Sequence, residues 1–575
     1  MMFSSLPNSA RQVIDRDWSY FEPYVHDLLE RDLSGDTLDI WMTDWTRLHY
    51  VLTELRSHLH LTLIRKTSDR RSHQRYGQFM QGIAPQWSRA NFLLGEKLLG
   101  SGLEPENFTV PRRQISAAVN LFREANLSLS AEEGRLANEY YRVMTSQTVE
   151  WQGQGRPLTA LDPLLREHDR DQREAVWRLG AERLLADRAA LDDLWVQLMA
   201  VRRAKADNAD CSDYRAYMWQ EKKRFDFTPD DALMFCDAIE TVVVPLATRL
   251  YEKRREQLGV ESLRPWDSTL DPDGPEVDAL ARAPLRPFAD VQVLENAAAK
   301  IINQLDPRLG DHFQMLRAQK WLDLGARPDK APGEYCLSFP LRGLPYVFMT
   351  AEGLYDDLQK LLHEAGHAFH LLAMAHLPWF QQSDLTAMPV AFAEVASTAM
   401  PLLVLPHLGD FLDEEDAIRA QRDHLEGIIT GWPQVALGVR FQHWIYTHHE
   451  TASDPAQCDA CWLELVQCFL PGIDLCGLEP YVASRWRRNM HFFVAPFQWI
   501  EYGLAMLGAV QIWANGTQDQ AGALRQYREA LALGNTATLP ELYRTAGAKL
   551  AFDAGTLGQA VGLIEDTIAE LEGKS

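Results

Sequence analysis

Apolar residues recur at helical spacing along most of the chain. Between Trp41 and Leu59 the steps from one apolar residue to the next alternate between four and three residues. This spacing places the side chains on one face of a long amphipathic helix, and we expect that face to be core, not a recognition surface. Similar patterns predict further helices at about 70–100, 115–150 and 165–205. The sequence therefore predicts a mainly α-helical protein.

One segment has the pattern of a β-strand. In LPYVFMT (344–350), Tyr346 and Phe348 lie on one face, and Val347 and Met349 lie on the other. We expect this strand to belong to a small sheet, the only one that the sequence predicts.

Three segments rich in Gly, Pro or Asp interrupt the helical pattern. They predict a linker at 151–163, a long loop at 263–278 and a third irregular stretch at 326–336. The chain has no internal repeat of solenoid length and no low-complexity tract.

Composition and charge exclude several classes of function. The chain has 575 residues, with 57 Lys+Arg against 80 Asp+Glu, and a formal net charge of −23. This balance argues against nucleic acid and against anionic membranes as partners, because both require a basic surface. The N-terminal residues lack a signal-peptide pattern, and no uncharged apolar run reaches the roughly 18 residues of a membrane span. The seven cysteines are sparse, so we expect a cytoplasmic protein.

The segment LLHEAGHAFH (361–370) carries the strongest chemical signal, the pattern His-Glu-x-x-His. Within a helix, His363 and His367 project from the same face, as a tetrahedral zinc requires. Glu364 lies to one side, where its carboxylate can take a proton from metal-bound water. The alternative is a pair of solvated or core histidines. We favour zinc because the helix, whose expected N-cap is Thr350, is apolar nearly all round at 361–372, and buried polar groups without partners are costly.

A catalytic zinc needs a third protein ligand and one open position. Glu394 is our candidate, since it is the only acidic residue between Asp384 and Asp410 and lies on a predicted apolar helix. Pro389 suits the first position of that helix. The alternative for Glu394 is an ion pair with a buried Arg or His. His370 lies only one turn beyond the second histidine, which favours a supporting or core position over ligation.

Seven segments between residues 224 and 513 share the pattern of one known family. They are RFDFTPDDA (224–232), LRPWD (263–267), GEYC (333–336), YDDLQKLLHEAGHAFH (355–370), FAEVAS (392–397), FQHWIYTH (441–448) and HFFVAPFQWIEYGLAMLGAVQIW (491–513). In these segments the sequence resembles the zinc oligopeptidases of the thimet oligopeptidase and oligoendopeptidase F type.

The resemblance implies a fold and a domain organisation. The implied fold is mainly α, a two-lobed helical shell around a deep substrate channel, with the small β-sheet beside the zinc-binding helix. The implied domains are an N-terminal helical region (1–110), a helical oligoendopeptidase-type N-terminal domain (111–205) and a catalytic metallopeptidase domain (206–575). A narrow channel would admit short peptides and exclude folded proteins.

The resemblance also implies the metal site and its reaction. His363, His367 and Glu394 would bind one zinc ion, and Glu364 would be the general base and proton shuttle. The implied activity is endoproteolytic hydrolysis of short oligopeptides.

Further positions match residues that contact substrate in the family. His491 and Tyr502 match hydrogen-bond donors to the tetrahedral intermediate, whose negative charge needs donors besides the metal. The strand around Tyr346 and Phe348 matches an edge strand that would hold the substrate backbone by β-addition. Gln498 lies beside these donors in the sequence, and we expect it to contact substrate too.

The chain departs from the family pattern at two places. Relatives usually read PFYYIEYG, whereas here Gln498 and Trp499 replace the two tyrosines. Gln498 could still donate through its amide, although without the acidity of a phenol. Pro401 stands where relatives tend to carry a Glu, which removes a possible partner for a zinc-binding histidine. Two alternatives therefore stay open: a zinc-holding, catalytically weakened peptide-binding homologue, and an exopeptidase on the same scaffold.

Four cysteines near the C-terminal end include a C-x-x-C motif, at Cys458 and Cys461. This spacing occurs in structural metal sites and redox pairs. We favour ordinary thiols, because the motif lies in a helical-looking stretch beside apolar residues.

Overall fold

The computed structural model describes residues 2–268 and 282–574, so the predicted loop at 263–278 lies outside the described residues from residue 269 onward. The fold is mainly α-helical, as predicted. No helix in these ranges is both long enough and apolar enough to span a membrane.

The α-helices and β-strands are numbered in chain order. The helices are α1 (Trp18–Glu30), α2 (Leu38–Arg65), α3 (Arg70–Gln78), α4 (Ala84–Ser101), α5 (Thr109–Leu121), α6 (Ala125–Thr145), α7 (Arg170–Ala186), α8 (Arg188–Asn208), α9 (Tyr214–Glu221), α10 (Pro229–Ala238), α11 (Val244–Leu258), α12 (Val291–Leu305), α13 (Pro307–Ala318), α14 (Asp356–Ala373), α15 (Phe380–Ser383), α16 (Val390–Leu403), α17 (Glu414–Thr447), α18 (His449–Ala452), α19 (Pro455–Phe469), α20 (Glu479–Ala483), α21 (Met490–Phe493), α22 (Trp499–Gln518), α23 (Gln520–Leu533), α24 (Leu539–Thr545) and α25 (Ala554–Glu572). The strands are β1 (Thr148–Trp151), β2 (Gln154–Pro157), β3 (Leu322–Gly325), β4 (Tyr335–Phe339) and β5 (Leu344–Ala351).

The chain forms two compact units, each assembled from three segments. Unit 1 comprises Met1–Phe122, Arg286–Glu414 and Gly508–Leu550, and unit 2 comprises the three remaining segments, Arg123–Leu285, Glu415–Leu507 and Ala551–Ser575. The domain boundaries expected after residues 110 and 205 stay predictions.

Helix α2 organises one core of unit 1. The apolar face predicted from Trp41 to Leu59 is buried throughout, which confirms the pattern. The indole N–H of Trp41 donates to the Leu28 carbonyl (2.9 Å), and that of Trp45 donates to Asn91 Oδ1 (2.9 Å). The two large rings are therefore buried without leaving a polar group unsatisfied.

The predicted strand is present as β5, but its place in the sheet differs from our expectation. The strand order is β3-β5-β4, with β3 parallel and β4 antiparallel to β5. β5 is thus the central strand of the described sheet, and the expectation of an edge strand at Tyr346 and Phe348 is wrong. Both side chains pack with Leu61, Ile64 and Phe339 in a small apolar cluster. Without a free backbone edge on β5, the reason for assigning Tyr346 and Phe348 to substrate binding is lost.

The predicted linker at 151–163 contains part of a second small sheet. β1 and β2 form an antiparallel hairpin through Gln152 and Gly153, which have φ of 53° and 76°. Two successive residues with positive φ give a turn whose twist suits the flanking strands. The four-residue strands are mostly exposed, so they lack the alternating apolar pattern by which a strand is recognised.

A buried charge cluster ties helices of unit 2 together. The Arg202 guanidinium on α8 and the Lys205 ammonium both pair with Glu133 on α6, each at 2.8 Å. Arg202 also donates to the carbonyls of Phe492 and Phe493, at 2.7 Å each. The cluster therefore fixes the backbone that directly follows His491.

Candidate active site

Helix α14 carries the His-Glu-x-x-His pattern and follows β5 after a short turn. The expected N-cap at Thr350 is wrong, because β5 continues to Ala351 and the helix begins at Asp356. Asp357 organises the turn between them, where its Oδ2 accepts from three backbone N–H groups, those of residues 352–354 (2.8–2.9 Å). A carboxylate in the first turn also suits the positive end of the helix dipole.

Three predicted ligands meet between α14 and α16. Glu394 Oε2 lies 3.6 Å from His363 Nε2 and 4.0 Å from His367 Nε2. One candidate ligand atom from each of the three residues lies within 4.8 Å of the other two, and this is the only such group found in residues 2–268 and 282–574. Two imidazoles and one carboxylate are the donor set of a catalytic zinc site with one open position.

A glycine allows the two helices to approach this closely. A Cβ atom on Gly366 would lie 2.5 Å from the Ala396 carbonyl oxygen and 2.6 Å from Ser397 Cα, distances that real Cβ atoms do not show. The Ala396 carbonyl also accepts a hydrogen bond from the buried Tyr527 hydroxyl on α23 (2.6 Å). The close packing places Glu394, two residues before Ala396, against the histidines of α14.

The electrostatics of the cluster suit a divalent cation. Burial lowers the pKa of His363 to about 4 and that of His367 well below its usual value, so both rings are neutral, as metal ligation requires. Burial, followed by the charges of Glu394 and Glu334, raises the pKa of Glu364 to about 8. Carboxylates held close together in a low-dielectric site favour a positive charge among them.

Three further residues on or beside α14 and α16 were singled out from the sequence. His370 is fully buried, and neither ring nitrogen has a hydrogen-bond partner among the described residues. Its ring packs edge-on against Phe392, at 5.8 Å between centroids, which fits the expected core position. Pro401 lies buried inside α16, and Pro389 directly precedes that helix instead of occupying its first position.

The predicted donors His491 and Tyr502 meet within unit 2. His491 Nε2 lies 3.2 Å from the Tyr502 hydroxyl. The Trp499 ring packs beside both, with centroids 4.8 Å from His491 and 5.9 Å from Tyr502. Trp499 and Tyr502 lie in the first turn of α22, and His491 lies on α21.

Two cations that the sequence did not single out contact the segment that leads into α22 and the first turn of that helix. Lys222 Nζ donates to Gln498 Oε1 (2.9 Å), and Arg224 Nε donates to Glu501 Oε1 (2.8 Å). The partners are separated by 276 and 277 residues in the chain, so no local pattern could have revealed them.

The C-x-x-C motif lies on α19, and its cysteines are free thiols. Cys458 is buried, and its thiol donates to the Ala452 carbonyl (3.2 Å). Within the described ranges the motif forms no group of metal ligands.

Solved structures with the same fold are known. PZ peptidase A with an inhibitor is 22% identical, with a TM-score of 0.87 and complete coverage of both chains. A protein assigned as an oligoendopeptidase F is 23% identical, with a TM-score of 0.87 over 99% of this chain and 98% of its own. A protein from Bacillus anthracis assigned to the same type is 19% identical, with a TM-score of 0.83 over 96% of each chain. At these identities the likeness shows the fold. A comparison with curated proteins finds no match.

A mainly helical fold with a His-Glu-x-x-His helix and a carboxylate beside it as the third candidate ligand is typical of a metallopeptidase. A family model described as peptidase family M3 matches residues 164–560, more than half of the chain. The chain belongs to peptidase family M3. The protein is therefore a metallopeptidase, and its substrates contain peptide bonds.

Proposed function

We propose that this metallopeptidase is a cytoplasmic, zinc-dependent endopeptidase that hydrolyses short oligopeptides. The observation that carries the proposal is the group formed by His363, His367 and Glu394 beside the buried Glu364. These donors fit a single zinc ion in type, number and charge. When bound, zinc supplies Lewis acidity toward the scissile carbonyl and toward the attacking water.

Glu364 moves the proton in the proposed reaction. Its carboxylate accepts a proton from the attacking water and then delivers it to the leaving amine. The side chain is 7% exposed, which keeps bulk water away from the proton that it carries. Burial and the neighbouring carboxylates raise the pKa of this group, the direction that makes a carboxylate a stronger proton acceptor once it is ionised.

His491 and Tyr502 stabilise the negative oxygen of the tetrahedral intermediate in this proposal. Hydrogen-bond donors aimed at such an oxygen contribute a few kcal/mol each in comparable sites. The 3.2 Å contact between His491 Nε2 and the Tyr502 hydroxyl and the packing of Trp499 against both rings support the assignment, because they restrict how the two donors can turn.

The test uses purified, zinc-loaded protein and unstructured peptides of graded length. We expect mass spectrometry to show internal cuts in short peptides, and we expect Glu364→Gln to abolish them while zinc stays bound. Removing the general base lowers kcat by about a thousandfold. Unchanged cleavage by Glu364→Gln would contradict the mechanism.

Two other results would select the alternatives. Fragment ladders from one terminus would identify an exopeptidase. Stoichiometric zinc and peptide binding without fragments would identify a weakened peptide-binding homologue, the outcome that Gln498, Trp499 and Pro401 motivate.

A further inference from the structure

The contact between Lys222 and Gln498 determines which way the Gln498 amide points. A lysine ammonium has three hydrogen-bond donors and no acceptor. The amide atom 2.9 Å from Lys222 Nζ is therefore the oxygen, Oε1, and the amide nitrogen must face the other way. The oxygen and nitrogen of a Gln side chain are otherwise hard to tell apart, but here the partner's chemistry leaves one choice.

The backbone around Gln498 is held in place as well. Phe497 has a φ of 61°, in the left-handed region that a bulky residue rarely adopts. The Arg224 guanidinium donates to the Phe497 carbonyl and pairs with Glu501. Arg224 itself is buried and stacks over the Trp219 ring, with Cζ 4.5 Å from the centroid. Strained backbone of this kind persists where its surroundings fix it, often at functional sites.

The nitrogen that faces away from Lys222 is available to a bound molecule. Gln498 Nε2 makes no hydrogen bond to any residue in the described ranges, and the side chain is partly exposed. Gln498 precedes Trp499, whose ring contacts both His491 and Tyr502. Gln498 directly precedes α22, and Tyr502 lies in the first turn of that helix.

We infer that Lys222 is a positioning residue, which orients the Gln498 amide so that its NH₂ group donates to the substrate alongside His491 and Tyr502. The inference rests on the proposed function. Lys222 acts only through Gln498, and it does not touch the substrate. Without the ammonium the amide can turn over, and it would then present its oxygen to a developing negative charge.

The test is a double-mutant cycle on peptide cleavage. We expect Gln498→Leu to lower kcat about 100-fold, as loss of one donor to the intermediate does. Lys222→Met should lower kcat about tenfold with little change in KM, since the lost interaction belongs to the transition state. The variant with both changes should be no slower than Gln498→Leu alone, because a residue that acts through another has no effect once that residue is gone.

Three further variants separate positioning from a structural role. Lys222→Arg keeps a donor-only cation, so it should retain kcat within about threefold. Gln498→Glu keeps the contact with Lys222 but has no NH₂ group, so it should be as slow as Gln498→Leu. Lys253→Met is the control, because Lys253 pairs with Glu572 in the same unit and should leave kcat unchanged. Thermal unfolding and zinc content are measured for every variant.

The outcomes distinguish the two proposals. If the unmodified protein cleaves peptides and Lys222→Met is fully active, the inference is overturned and the proposed function stands. Additive losses in the double variant, or a fast Gln498→Glu variant, would also overturn it. Absence of cleavage by the unmodified, zinc-loaded protein would overturn the proposed function, and the inference with it.

Discussion

A buried carboxylate in unit 1 and a partly exposed carboxylate in unit 2 have pKa values shifted in opposite directions. Burial and the neighbouring charges of Glu394 and Glu334 raise the pKa of Glu364 in unit 1 to about 8. Burial would also raise the pKa of Glu133 in unit 2, but the charges of Arg202 and Lys205 outweigh it and lower that pKa to about 2.

The difference follows from which charges each unit assembles. Unit 2 pairs Glu133 with two cations of its own chain, which is the arrangement of a structural element. Unit 1 places Glu364 and Glu394 beside two neutral imidazoles, which is the arrangement of a site that takes a cation and does chemistry with it. A buried carboxylate is therefore informative only together with the charges around it.

The largest expected effect is on zinc binding in unit 1. Glu394→Gln should abolish zinc binding at micromolar zinc and with it peptide cleavage, because an amide oxygen is a weak zinc ligand. Zinc at about 100 times its Kd stabilises a protein by roughly 2.7 kcal/mol, so zinc should raise the Tm of the unmodified protein and not that of the variant. The control is Glu352→Gln, at an exposed Glu of the same unit, which should bind zinc normally. Retention of zinc by Glu394→Gln would exclude Glu394 as a ligand.

The matching change in unit 2 should affect stability and not zinc binding. Glu133→Gln leaves the fully buried Arg202 without its counter-charge, and we expect a loss of about 3 kcal/mol in the free energy of unfolding. Urea unfolding with and without zinc would measure it. The control is Glu132→Gln, in a surface pair with Arg135, which should cost about 0.5 kcal/mol at most.

The same pair gives a pH dependence with a definite sign. The folded pKa of Glu133 lies below its usual value of 4.5, so its contribution is present above pH 4.5 and is lost as the pH falls toward 2. The stability difference between the unmodified protein and Glu133→Gln should shrink over that range. A difference that stays constant would contradict the ion-pair account.

A smaller effect is expected from the helix packing that builds the metal site. Gly366→Ala should destabilise unit 1 by about 2 kcal/mol through overpacking and should weaken zinc binding by moving α16 away from α14. The matched control is Gly134→Ala on α6, where an added Cβ meets no atom within 4 Å. That change should stabilise the protein by about 0.5 kcal/mol. Unaltered zinc affinity in Gly366→Ala would show that the contact does not position Glu394.

The smallest effect is a decline in kcat at alkaline pH. Burial and the neighbouring Arg224 lower the pKa of Lys222 to about 8, against the opposing charges of Glu501 and Glu221. Above that pH the neutral amine can also accept a hydrogen bond, so it no longer fixes the Gln498 amide, and kcat should fall a few-fold. Lys222→Arg stays charged and should lack this step. A pH profile that is identical in both proteins would contradict the role of Lys222.

Local sequence patterns predicted the parts of the fold that depend on neighbours in the chain. The buried face of α2 follows from the spacing between Trp41 and Leu59, because helical periodicity and burial are linked directly. The strand predicted at 344–350 follows from the alternation of side chains between its two faces. The place of that strand in its sheet does not follow from its own sequence, because strand order depends on where β3 and β4 pair with it. The edge-strand expectation was wrong for this reason. The hairpin around Gln152 was missed because exposed strands carry little apolar pattern.

The sequence by itself determined the family, the mainly helical fold and the metal-ligand candidates, because His-Glu-x-x-His spacing and an isolated Glu394 on an apolar helix are local signals. Only the tertiary structure decided what lies beside them. Gly366 against Ala396, Glu133 with Arg202, and Lys222 on Gln498 join residues far apart in the chain. The physical reason is that packing distance and electrostatic environment are set by neighbours in space, and a pKa or an amide orientation follows from those neighbours and not from residue type.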